Sequence, residues 1–107
     1  RAWGTYPRIL GKYVREEGVI SLENAIYKMT HMPATKFGIA NRGLIQEGYF
    51  ADLVIFNPDT VIDRATYENS RVGPAGMPHV IVNGKFAVRN GKHLGTRSGR
   101  ALRRGEI

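Results

Sequence analysis

No cysteine occurs among the 107 residues. Disulfides, thiolate metal sites and cysteine nucleophiles are thereby excluded. Long apolar runs are missing too. No stretch approaches the ~18 residues that a membrane-spanning helix needs, so no membrane partner is expected. No secretory leader is recognisable, and the first residue is Arg1 rather than Met, so the chain reads as processed, engineered or cut from something longer. With nothing arguing for secretion, the expected compartment is the cytoplasm.

Acidic residues are scarce. Asp and Glu number 9 against 16 Lys and Arg, a formal charge of +7. Such a surplus suits acidic partners or nucleic acid. The excess is local, however. Arg97, Arg100, Arg103 and Arg104 stand beside Gly95, Ser98, Gly99 and Gly105, and that segment reads as a solvated tail. A nucleic-acid face would interleave charge with stacking aromatics. A small basic nucleic-acid-binding module therefore remains an alternative rather than the expected function. A second alternative is a non-catalytic scaffold that self-associates through an uncovered sheet face or edge.

What is present divides at about residue 42. Tyr6, Ile9, Leu10, Tyr13 and Val14 recur at helical spacing and predict an amphipathic helix over Tyr6–Glu17. Thr5 suits its start, Gly18 its end, and Lys12, Arg15 and Glu16 its solvent face. Ser21 predicts the cap of a second helix with the stripe Leu22, Ala25, Ile26 and Met29, which His31 would close. Pro33 would open a short third helix through Phe37, stopped by Gly38. Beyond residue 42 the period changes. Gly43 and Gly48 bound a turn, and Ala51–Phe56 reads as a strand buried on both faces. Residues 59–77 predict a long surface connection with one helical turn near Arg64–Tyr67. His79–Val82 and Lys85–Arg89 are strands joined by Asn83-Gly84, the strongest two-residue hairpin signal. Asn90-Gly91 turns the chain again. Three strands leave two apolar faces to cover, of which the first two helices would take one.

No constellation carries chemistry by itself. His31, His79 and His93 are isolated, whereas zinc ligands cluster. No catalytic or metal-ligating residue is assigned. Asp52, just before a strand, is read as structural, accepting backbone N–H bonds at the strand entrance. Ser21, Ser70 and Ser98 lack a nucleophile-elbow context.

The run Gly43–Phe56 followed by Val82-Asn83-Gly84 resembles the C-terminal end of the amidohydrolase superfamily, whose dihydropyrimidinase-like and dihydroorotase-like branches share the glycine and Ala-Asp-Leu pattern. Arg1–Gly11, Glu23–Thr30 and Asp63–Tyr67 narrow the likeness to the N-acyl-D-amino-acid deacylases, or D-aminoacylases. The resemblance implies an α+β fold. Residues 1–42 would end a TIM-like metallo-hydrolase barrel, and residues 43–107 would contribute a small antiparallel or mixed sheet to a β-sandwich. It implies hydrolysis of an N-acyl-D-amino acid to a carboxylate and a D-amino acid, with zinc polarising the amide and activating water. The metal ligands and a proton-shuttling aspartate would lie upstream, so zinc belongs to the complete enzyme and no cofactor is expected in this chain. The N-terminal remainder of the enzyme would be its partner, and the isolated chain would be inactive. Arg1 matches the arginine of the family's His-Pro-Arg run, and the resemblance implies that it binds the substrate carboxylate.

Overall fold

The computed structural model describes residues 4–69 and 71–104. Helix α1 (Thr5–Arg8) continues without a break as a π-helical segment, Ile9–Glu16. Gly4, not Thr5, is the N-cap. The N–H of Glu17 reaches back to the Lys12 carbonyl at 2.8 Å, an i→i+5 bond. Such wide turns are uncommon and rotate the buried face away from a 3.6-residue stripe. Pro7, Leu10 and Gly11 are buried as a result, while Tyr6 stays 61% exposed. The tyrosines of the predicted stripe thus lie outside the core.

Helix α2 (Leu22–Met29) starts as expected: the Ser21 hydroxyl accepts from the Asn24 N–H at 3.2 Å. Helix α3 (His31–Lys36) begins earlier than Pro33 predicts. His31 therefore opens α3 instead of closing α2, and its ring leans on Tyr27.

The core is built on Leu10, Ala25 and Val61, ringed by residues that include Ile9, Val14, Ile20, Ile26, Phe56 and Met77. Val61 is the surprise. It opens the segment expected to run over the surface, yet it is fully buried. Asn57 starts this path. Its side chain accepts from the Asp59 N–H, and its carbonyl accepts from Thr60 and Val61. Ile62 and Ala75 then exchange backbone hydrogen bonds at 3.2 and 3.0 Å. The helical turn expected at Arg64–Tyr67 does not form. Arg64 Nε donates to the Gly73 carbonyl, and Thr66 and Asn69 bond each other reciprocally. Arg15, predicted on the solvent face, donates to the Val61 carbonyl at 2.7 Å and to that of Pro58 at 3.1 Å.

Four strands form an antiparallel meander: β1 (Leu53–Ile55), β2 (His79–Val82), β3 (Lys85–Arg89) and β4 (Lys92–His93). The α+β class is as expected, with β4 an addition to the three predicted strands. Asn83 and Gly84 hold φ of 49° and 81°, the positive pair that a tight hairpin needs. Asn90-Gly91 repeats the device into β4. Gly43 and Gly48 also take positive φ, as their turn requires. Strand β1 departs from its prediction. It is an edge strand, and Val54 and Ile55 remain about half exposed, at 49% and 48%. The helices do not cover the sheet. They pack chiefly on one another and on the Val61 segment, which occupies the place beneath them.

Candidate functional site

The densest polar cluster surrounds the β2–β3 hairpin turn. Asp52 stands just before β1. One of its oxygens accepts from the Asn83 N–H at 2.8 Å, and the other pairs with Arg42. Asp52 thus plays the structural part read from the sequence. Arg42 also donates to Asn83 Oδ1 at 3.1 Å, and its guanidinium lies 4.1 Å from the centre of the Phe50 ring, a cation–π distance. Asn83 Nδ2 donates to the Ser98 carbonyl at 2.7 Å, and the Ser98 hydroxyl donates to that of Val82 at 2.7 Å. The C-terminal segment is therefore pinned to the hairpin at Ser98, and Arg104 lies against Gly38 at the end of α3. Arg97, Arg100, Arg103 and Arg104 are nevertheless all exposed, as expected of a solvated tail. Sequence reasoning missed Arg42 and Arg15 because a lone arginine carries no local signal of its distant partners.

This cluster gives a test. Asn83→Gly keeps the turn geometry but removes the side-chain bonds to Arg42 and Ser98, for a cost of about 1–2 kcal/mol. Asn83→Ala loses the same bonds and adds about 1–2 kcal/mol of positive-φ strain. Chemical denaturation of the two variants should rank alanine below glycine. Equal stabilities would show that the turn conformation contributes nothing.

The histidines stay apart. His79 packs its ring edge-on to Phe86 and accepts from the Asn90 N–H, while His93 accepts from the Gly95 N–H. Among the described residues no group of three or more His, Asp or Glu side chains is placed to hold a metal ion. Arg1 lies outside the described residues. Just after it, Gly4, Thr5 and Arg8 line one side of an open cleft of about 410 Å³, with Asp63, Thr66 and Tyr67 on the other. Arg8 and Asp63 approach to 3.8 Å across it. Among the described residues no helix is long and apolar enough to cross a membrane.

The described residues thus define a small α+β unit whose polar clusters mainly join its own loops. The match to known proteins is specific. The chain belongs to the amidohydrolase family, whose model matches residues 1–88. It is 48% identical over 104 residues to D-aminoacylase from Alcaligenes xylosoxydans xylosoxydans, covering 97% of this chain and 22% of that protein. The chain therefore spans about a fifth of the length of that relative. A solved structure of D-aminoacylase, concerned with the functional role of its binuclear metal centre, aligns with a TM-score of 0.92 and 48% identity over 95% of this chain and 22% of that one. The crystal structure of N-acyl-D-glutamate deacylase from Bordetella bronchiseptica, complexed with zinc and a phosphonate inhibitor, aligns with a TM-score of 0.78 and 47% identity over 79% of this chain and 18% of that one.

Proposed function

We propose that this chain is the C-terminal part of a zinc-dependent amidohydrolase that hydrolyses N-acyl-D-amino acids to a D-amino acid and a carboxylate. The observation that carries the reading is the 48% identity to D-aminoacylase over 97% of the chain. The exposure of apolar residues on both the helical and the sheet side supports it. Tyr6, Ile45, Val54 and Ile55 are 61%, 92%, 49% and 48% exposed, and further polypeptide would cover them.

In this reading residues 1–42 close the metallo-hydrolase barrel and residues 43–107 belong to its β-sandwich. In the same reading the metal is held by the rest of the enzyme. There zinc supplies Lewis-acid activation of the amide and of water. This chain would contribute Arg1, whose guanidinium suits a bidentate grip on the substrate carboxylate. The partner is the N-terminal remainder of the same enzyme, and the compartment is the cytoplasm.

The test is an assay with N-acetyl-D-methionine and zinc. The chain alone should release no D-methionine, whereas the complete polypeptide should, and a chelator should stop it. Turnover by the isolated chain, or none by the complete one, overturns the reading.

A further inference from the structure

Two of the asparagines precede a glycine, in Asn83-Gly84 and Asn90-Gly91. Such pairs lose the side-chain amide most readily, because glycine has no side chain to shield its backbone nitrogen or to restrain its approach to the asparagine. The two pairs are closely matched in this fold. Their φ angles are 49° and 81° in one turn and 52° and 76° in the other. Both glycine N–H groups donate to a backbone carbonyl, Gly84 to Ala51 at 2.9 Å and Gly91 to Pro78 at 2.8 Å. Neither glycine, its chain neighbours apart, has a heavy atom within 4 Å of the place a β-carbon would take. What separates the pairs is the asparagine side chain. Asn83 is half-buried, with its Oδ1 held by Arg42 at 3.1 Å and its Nδ2 by the Ser98 carbonyl at 2.7 Å. Asn90 is exposed. Its backbone N–H reaches His79 Nδ1 at 3.2 Å, but among the described residues its side chain has no hydrogen-bond partner.

We propose that Asn90 is a site of spontaneous deamidation, and that Arg42 and Ser98 protect Asn83 from the same reaction. The Gly91 nitrogen, deprotonated by hydroxide, attacks Asn90 Cγ. The N–Cγ bond forms, the Cγ–Nδ2 bond breaks, and ammonia leaves after taking up a proton from water. Water then opens the cyclic imide at either carbonyl, to an aspartate or an isoaspartate. The attack requires the Asn90 side chain to swing over Gly91 and the bond from Gly91 to Pro78 to open. The swing breaks no side-chain bond. The opening is local, because this turn leads only into β4, an edge strand of two exposed residues, and short exposed pairings open at little cost. At Asn83 two side-chain bonds must be given up first, one of them to a charged donor that Asp52 also holds. The reaction needs neither substrate nor metal and is independent of the function proposed above.

The experiment is peptide mapping by mass spectrometry of the complete polypeptide, aged in mildly alkaline heavy-oxygen water, with isoaspartate scored by an isoaspartyl methyltransferase. Amide loss at Asn90 should outpace that at Asn83 about 30-fold, which corresponds to about 2 kcal/mol for the two bonds given up. In concentrated urea, where both turns are open, the two sites should react at comparable rates. Arg42→Gln, which removes the bond to Asn83 Oδ1, should speed loss at Asn83 about tenfold and leave Asn90 unchanged. Should Arg42→Gln fail to fold, Ser98→Ala decides by the same criterion, because the Ser98 hydroxyl on the Val82 carbonyl keeps the Ser98 carbonyl against Asn83. Equal rates in the folded protein, a difference that persists in urea, or an Asn83 rate that the folded variant does not move overturns the inference.

Discussion

Gly76→Ala is expected to destabilise the chain by about 4 kcal/mol, the largest effect of any single methyl group added here. Two costs combine at this position. Gly76 holds φ of +72°, a left-handed conformation that costs an L-residue about 1–2 kcal/mol. A β-carbon would also stand 2.5 Å from the Val61 backbone nitrogen and 2.6 Å from the Thr60 carbonyl carbon. Backbone atoms cannot swing aside as a side-chain tip can, so overpacking of this kind costs about 1–3 kcal/mol or more. The Gly76 carbonyl also accepts from the Asn57 N–H at 2.8 Å, which ties both sides of the contact together. A domain of this size has only about 5–15 kcal/mol to lose, so a large fraction of its stability is at stake. The control is Gly91→Ala. Gly91 has nearly the same φ, +76°, but nothing within 4 Å of its would-be β-carbon. It should lose only the strain, about 1–2 kcal/mol. Urea denaturation of both variants separates strain from collision. Equal losses would mean that the approach of Gly76 to Val61 is not tight in solution.

Gly11→Ala makes two effects of opposite sign compete. In a free helix the change would be favourable by about 1 kcal/mol, since alanine has the higher helix propensity. Here the new carbon would meet Ile62 Cδ1 at 2.4 Å and the Val61 carbonyl oxygen at 2.5 Å. The methyl of Ile62 can rotate away. The carbonyl cannot, because Arg15 holds it at 2.7 Å and the rest of the Val61 backbone is enclosed. At about 3 kcal/mol the collision exceeds the propensity gain, for a net loss of about 2 kcal/mol. That corresponds to a fall in thermal midpoint of roughly 10 °C for a domain of this size. A melt followed by circular dichroism reads it directly. A midpoint that rises would show that helix propensity decides and that the helix–loop contact yields. Together the two glycines flank the Val61 backbone, one from the π-helical segment and one from the loop leading to β2.

Where sequence and structure agree, the cause is local. Ser21 caps α2 because its hydroxyl needs only the N–H three residues ahead. Asn83-Gly84 turns the hairpin because positive φ is available to those residues wherever they stand. The Asp52 carboxylate was legible as a backbone acceptor, though not which backbone it meets. Where they differ, the cause is a partner far along the chain. Residues 59–77 look like surface by composition, but Val61 is captured between two glycines that no local pattern links to it. The sequence of the first helix has a clean 3.6-residue stripe, yet in the π-helical segment Ile9–Glu16 the turns widen where Gly11 meets Ile62 and Arg15 bonds the loop. Strand β4 is too short, at two residues, to leave a periodic signal.

The candidate site divides in the same way. The likeness of Arg1–Gly11 and Gly43–Phe56 to the amidohydrolases rests on residue identity, and the family match across residues 1–88 agrees with it. That likeness was readable because residue order alone carries it. Bringing Asp63 to Gly4, Arg42 to Asp52 and Asn83, and Ser98 to the hairpin is the work of the tertiary fold. The linear chain determined its family, its α+β order, its helix cap and its turns, since each depends on residue type or on neighbours a few positions away. Only the folded molecule decided which loop fills the core and which carboxylate meets the start of α1. Those outcomes depend on close approach between distant segments, and close approach is set by packing.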